Sequence, residues 1–186
     1  LLEATGRIAA ADLTSDIDIA PFAHSAMDGF ALRANQIASA TPDAPVRLRV
    51  IAEEAAGSVY DGPIADDECI RIMTGAPLPE AADSVVKYEI VGVVEGDGKL
   101  GSLVEFTAPT KLASNVRSAG EEAQAGEVIV HAGELISTAG VGFLAGCGNT
   151  EIPVYSRPRV AIIAPGSELV DPSEVPGPGK IRHSNS

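Results

Sequence analysis

Residues 46–55 read Val-Arg-Leu-Arg-Val-Ile-Ala-Glu-Glu-Ala, with Val46, Leu48 and Val50 on one face and Arg47 and Arg49 on the other. A period of two with one apolar face predicts a half-buried antiparallel strand. Phe30 to Arg33 alternates in the same way, after a turn opened by Pro21 and Phe22. Glu68 to Met73 reads as another strand, stopped by the loop that holds Gly75 and Pro77 because proline cannot donate to a ladder. Ser84 to Glu95 is rich in valine, and Glu95-Gly96-Asp97-Gly98 has the chemistry of a hairpin turn. Leu103 to Thr107 continues the sheet. Short strands punctuated by turns such as Tyr60-Asp61-Gly62-Pro63 predict a compact β-barrel-like domain over residues 19–127.

The pattern changes after Gly126. Glu127 to Val130 reads as a strand, and Ser137 or Thr138 can cap a helix that runs to Gly146 with Val141, Phe143 and Leu144 on its apolar side. Gly148-Asn149 ends it. Glu151 to Tyr155 alternates again. At the other end, a helix tail breaks at Gly6 and a short extended piece follows over Arg7 to Leu13. These flanking pieces predict one small discontinuous α/β unit, residues 1–18 and 128–156, carrying the β domain as an insertion.

Arg159 to Leu169 differs again: an apolar run through Ile162 and Ile163 that ends in a glycine turn reads as the first strand of a buried parallel sheet. Such a sheet needs crossover helices and further strands, yet seventeen residues follow Leu169. Residues 157–186 are therefore expected to be the start of a truncated α/β domain, with the residues after Leu169 poorly ordered because an orphan strand end gains little burial. The fold class is mixed α+β: an extended α/β unit, an inserted β-barrel-like domain and the opening strand of a third domain.

Composition narrows the functional classes. The chain has 186 residues, 45% of them apolar, but only 4% are aromatic and tryptophan is absent, so Val, Ile, Leu and Ala must fill the core. Thirteen basic against 26 acidic residues give a net charge of −13. Such a surface repels nucleic acid and anionic membranes, whose phosphates need clustered Lys or Arg. No run approaches membrane-spanning length and no signal pattern opens the chain. The first residue, Leu1, is not a native start, so the chain reads as a fragment. Cys69 and Cys147 lack any Cys-x-x-Cys spacing and read as buried thiols of a reducing compartment, the cytoplasm. His24, His131 and His183 show no zinc-ligand spacing.

Four places carry candidate chemistry. In Ser25-Ala26-Met27-Asp28-Gly29-Phe30-Ala31-Leu32-Arg33, glycine after aspartate lets a tight corner present the Asp28 carboxylate. The loop Thr74-Gly75-Ala76-Pro77-Leu78-Pro79 offers a hydroxyl and backbone amides to an oxyanion. Asn115, Arg117, Glu121 and Glu122 form a polar patch in Ser114 to Glu122. Glu168 sits at the carboxyl end of the apolar run, where open α/β sheets place ligands. Each has a plainer reading: a hairpin turn, a rigid connector, a polar loop, and an acid at a helix N-terminus.

The Asp28 string and the stretch Arg71-Ile72-Met73-Thr74-Gly75-Ala76-Pro77-Leu78-Pro79 together resemble the molybdopterin molybdenumtransferase family, known as MoeA and as the gephyrin E domain. Gly6-Arg7-Ile8, Asn115 to Gly126 and Arg157 to Leu169 extend the resemblance over nearly the whole chain. It implies an enzyme of molybdenum cofactor biosynthesis that uses Mg²⁺ to insert molybdate into adenylated molybdopterin and releases AMP. The chain would hold the linker domain, the inserted domain and the first strand of the molybdopterin-binding domain, and would be inactive alone. The family's site lies across a homodimer. By motif match Asp28, Thr74 and Glu122 would face the cleft opposite Glu168 of the partner subunit. Ser25, Gly75, Asn115 and Arg117 would bind the substrate, and Asp28 and Glu168 the metal. A molybdopterin adenylyltransferase and molybdoenzymes are the further partners implied.

A carboxylate about 4 Å from a phosphate oxygen is opposed by roughly 4 kcal/mol at an effective dielectric near 20. Several acids around a pyrophosphate therefore call for a divalent cation between them. Departures from the family pattern are Ala23-His24 before the Asp28 string, one arginine (Arg117) where a run is usual, and Ser167 before Glu168 in place of aspartate. The alternative is a non-catalytic, gephyrin-like scaffold of the same architecture; a β-rich interaction domain with accidental motifs is the third reading.

Overall fold

The computed structural model describes residues 1–184. They divide into two units, residues 1–154 and the stretch from Tyr155 onward. Among them no helix is long and apolar enough to cross a membrane.

In chain order the first unit contains β1 (Leu13–Thr14), β2 (His24–Ser25), β3 (Gly29–Leu32), β4 (Val46–Glu54), β5 (Glu68–Ile72), β6 (Ser84–Lys87), β7 (Gly92–Glu95), β8 (Leu103–Phe106), β9 (Val116–Arg117), β10 (Val128–Val130) and α1 (Thr138–Gly146). Six of these strands form a curled half-barrel sheet in the order β6-β3-β5-β4-β8-β7. The sheet stays open, with β6 and β7 at its edges. It is mostly antiparallel, but β4 and β5 run parallel, from Arg49 opposite Glu68 to Glu54 opposite Ile72. The antiparallel reading of β4 holds only on its other side, where Val46 faces Phe106 and Leu48 faces Val104.

Both faces of the sheet are covered. Phe30, Leu48, Val50, Cys69, Val104 and Phe106 fill one side; Ala31, Ile64, Ile70, Ile72 and Val85 fill the other. Strand alternation explains the split, since successive residues of β3 and β5 point to opposite faces. A register shift between Val50 and Ala52 lets Ile51 and Ala52 join the second face. Fully burying each large side chain stabilises by roughly 1.5–3 kcal/mol, so this double core anchors β3 and β5. Those two strands carry the loops of interest at their ends. The valine-rich stretch 84–95 is two strands, because a 3-10 turn at Tyr88–Ile90 breaks it.

A third core joins the flanking pieces: Ala4, Ala9 and Leu13 pack with Val130, Ile136, Val141 and Leu144. β1 pairs antiparallel with β10. Helix α1 begins at Ser137, whose hydroxyl accepts from the Gly140 amide at 3.0 Å. Its buried residues are Val141 and Leu144; Phe143, expected on the apolar side, is 37% exposed.

In the second unit, Arg159 to Glu168 forms no strand, and Val160, Ile162 and Ile163 are exposed. An apolar run becomes a buried strand only when neighbours pair with it. The residues after Glu168 do form a pairing: β11 (Leu169–Val170) lies parallel to β12 (Ile181–Arg182).

Candidate functional site

Three loops of the first unit meet at the mouth of the sheet. The turn from β2 into β3 is shaped by Ser25, which is fully buried and donates its hydroxyl to the Met27 carbonyl at 2.5 Å. Gly29 is required at the next corner, because a Cβ there would overlap the Val86 carbonyl. Asp28 is thereby left exposed at the tip, with its own carbonyl accepting from the Tyr88 amide at 3.0 Å.

The loop after β5 closes against this turn. Asp28 Oδ1 accepts two bonds from Thr74, one from the amide at 2.8 Å and one from the hydroxyl at 2.7 Å. The Gly75 amide donates to the Ser25 carbonyl at 2.8 Å, and the Ser25 amide donates to the Ala76 carbonyl at 3.0 Å. Gly75 sits at φ +79°, in the left-handed region that favours glycine. The third strut is the 113–117 segment. The Asn115 carbonyl accepts from the Ala26 amide at 2.9 Å, its side-chain amide donates to the Val85 carbonyl at 2.8 Å, and Val116 lies opposite Ser25. Two distant motifs and the Asn115 stretch thus form one hydrogen-bonded unit.

This geometry changes one expectation. The amides of Thr74, Gly75, Ala76 and Leu78 donate to Asp28, Ser25, Met73 and Ala23. The loop is therefore not an open cradle of N–H groups for an oxyanion. Its amides hold the Asp28 turn instead.

Asp28 is kept ionised. The Thr74 amide chiefly, then the Thr74 hydroxyl, then the charge of Arg71 lower its pKa below the ordinary carboxylate value. A carboxylate that hard to protonate is a poor general acid and a good cation ligand. Its Oδ2 makes no hydrogen bond among the described residues, so one oxygen is positioned and the other presented to solvent.

The other expected site residues engage other partners. Arg117 is exposed and bonded to Glu121 at 3.0 Å. Glu122 is exposed, with only its backbone amide engaged, to the Ile19 carbonyl at 3.3 Å. Glu168 belongs to the second unit, where it is exposed and its carbonyl accepts from Ile181 at 2.8 Å. Among the described residues no group of three His, Cys, Asp or Glu gathers as a metal site. Metal held by this unit alone would rest on Asp28 and on ligands from substrate or solvent.

One residue of the site had no role in the sequence reading. The Arg71 guanidinium lies 4.0 Å from the Tyr88 ring centroid and 5.2 Å from that of Phe30, and its Nη1 donates to the Gly29 carbonyl at 3.4 Å. A cation between Ile70 and Ile72 in a buried strand was the available signal. A cleft of about 460 Å³ is lined by Val86, Lys87, Ile90, Phe106, Ser114 and Asn115 among others.

Comparison with known proteins bears on this geometry. Residues 1–148 match the family model of the MoeA N-terminal region (domain I and II). The chain is 38% identical over 180 residues to a molybdopterin molybdenumtransferase of Bacillus subtilis, covering 97% of this chain and 41% of the relative. It is 36% identical over 185 residues to one of Staphylococcus aureus, covering 100% of this chain and 43% of the relative. A crystal structure of the molybdopterin biosynthesis MoeA protein from Pyrococcus horikoshii superposes with a TM-score of 0.87 at 33% identity, over 100% of this chain and 48% of that one. The chain thus spans less than half the length of the relatives it matches. Motifs, matched region and fold agree, and the chain belongs to the MoeA family through its N-terminal region, domains I and II.

Proposed function

We propose that this chain is the N-terminal part of an enzyme of molybdenum cofactor biosynthesis that inserts molybdate into adenylated molybdopterin and releases AMP. The observation that carries the reading is the Asp28–Thr74 pair: an exposed carboxylate, fixed through one oxygen and ionised, at the meeting point of the two motifs. The names of the relatives support the reaction class.

In this reading Asp28 is a metal ligand and not a proton donor. Mg²⁺ retains waters and commonly binds through one or two carboxylates plus substrate phosphates, which fits a single oriented aspartate. Bound there, the ion would neutralise phosphate charge and polarise the reacting oxygens. Thr74 orients Asp28, while Ser25, Gly75 and Asn115 hold the loops that carry them. Glu168 of the partner subunit would complete the site across a homodimer, with Glu122 and Arg117 at its rim.

The same reading assigns residues 1–18 and 128–156 to a discontinuous linker domain, 19–127 to the inserted domain, and 157–186 to the start of the pterin-binding domain. The separate cores of the six-stranded sheet and of the flanking pieces support that division. The free, buried Cys69 and Cys147 suit a cytoplasmic enzyme. The test is AMP release by the full-length protein from adenylated molybdopterin. Release that requires both molybdate and Mg²⁺ is expected; release indifferent to both sinks the proposal, and no release at all favours a scaffold.

A further inference from the structure

Arg33, Arg47, Arg49 and Arg117 each face a carboxylate: Asp66, Glu105, Glu95 and Glu121. They are four of the nine arginines in a chain with twice as many acids as bases. Arg71 is not one of them. Among the described residues it joins no ion pair, although it is partly buried and lies next to the Asp28–Gly29 turn. Its guanidinium is held by aromatic faces, with Tyr88 at 4.0 Å and Phe30 at 5.2 Å, and by one long bond to the Gly29 carbonyl.

Stacking fixes the plane of a guanidinium without consuming its N–H groups, which point outward along that plane. Nη1 reaches Gly29, and the remaining donors have no partner among the described residues. Such a cation is oriented and partly desolvated, and Asp28, the carboxylate its charge acts on, forms no ion pair with it among the described residues. It is the arrangement that recognises an oxyanion through two parallel hydrogen bonds. The neighbouring amides cannot do this, because those of Thr74, Gly75 and Ala76 are already engaged.

We propose that Arg71 is an anion-docking residue of this site, its guanidinium fork gripping two oxygens of a tetrahedral oxyanion beside Asp28. The ligand class is a phosphate group of the substrate or molybdate itself. The inference rests on the reading of Asp28 as the cation-binding side. It supplies what that reading lacks: a fixed positive charge where acids prevail. Asp28 then engages the anion through the metal, and Arg71 engages it directly.

Calorimetric titration of the full-length protein tests this, with inorganic pyrophosphate and molybdate as separate probes, each with and without Mg²⁺. Arg71→Gln should weaken one of the two at least tenfold whether or not Mg²⁺ is present, and the probe that loses identifies the oxyanion. Asp28→Asn should instead abolish only the gain that Mg²⁺ gives. If Arg71→Gln unfolds, Arg71→Lys decides: it keeps the charge but not the fork, and at least fivefold weaker binding supports the proposal. Both probes binding within twofold of the unaltered protein in a folded Arg71 variant overturns it, while an intact effect of Asp28→Asn leaves the metal reading standing. An unaltered protein that binds neither probe removes both.

Discussion

Asp28 accepts both Thr74 bonds on one oxygen and keeps the other uncommitted, so its orientation and its reactivity are set by different atoms. Because the Thr74 amide is the larger influence and the hydroxyl the smaller, Thr74→Val should raise the Asp28 pKa without restoring the ordinary value of 3.8. Carboxyl-detected NMR titration measures this directly, and an unmoved pKa would show that the hydroxyl bond does not form. The sign for stability follows. With its folded pKa depressed, Asp28 favours the native state above its unfolded pKa, and that contribution disappears as pH falls through the folded value. Much of this corner was legible beforehand. Gly75 signalled a loop, and Asp28 and Thr74 stood in motifs; Gly29, expected as a turn glycine, instead opens β3, where a Cβ would overlap the Val86 carbonyl. The engagement of the loop amides and the stacking of Arg71 were not legible, because both depend on which residues a strand's neighbours bring opposite.

Among the elements, β4 shows where alternation stops informing. Its buried Leu48 and Val50 follow from a period of two, but a periodic strand does not specify whether its neighbour runs parallel, and β5 does. Arg159 to Glu168 shows the converse: β propensity without a partner gives no strand. The end of β4 also holds a buried acid behind the Thr74 loop. Glu54 is 3% exposed, its Oε1 has no hydrogen-bond partner among the described residues, and its carbonyl accepts from the Met73 amide at 3.0 Å. Burial raises its pKa above 4.5, with the nearby Ser58 hydroxyl and Tyr60 amide opposing more weakly. A raised carboxylate pKa means that its contribution is complete below the unfolded pKa and falls away as pH rises through the folded value. Glu54→Gln, neutral at every pH, should therefore stabilise the protein at pH 7 by about 1 kcal/mol, the scale of a buried polar group's desolvation. Urea denaturation at pH 4 and pH 7 checks this; an equal or larger effect at pH 4 would contradict it.

At the scale of the molecule, the family and the β-rich inserted segment were readable because two motifs and the turn spacing pointed the same way; the class expected was mixed α+β, whereas the described residues are mostly β with one α-helix. Ala4, Ala9 and Leu13 pack with Val130 and Leu144, so the two ends of the first unit share one core. A net charge of −13 makes recognition of an anionic substrate depend on local cations, bound or built in. The chain spans less than half the length of these relatives.

The decisive measurement is molybdate insertion by the full-length protein carrying Asp28→Ala, read alongside its thermal unfolding. Loss of activity by about 100-fold or more, with stability within about 1 kcal/mol of the unaltered protein as for other exposed positions, is the predicted result. Insertion within twofold of normal would contradict the account. So would an equal collapse of fold and activity.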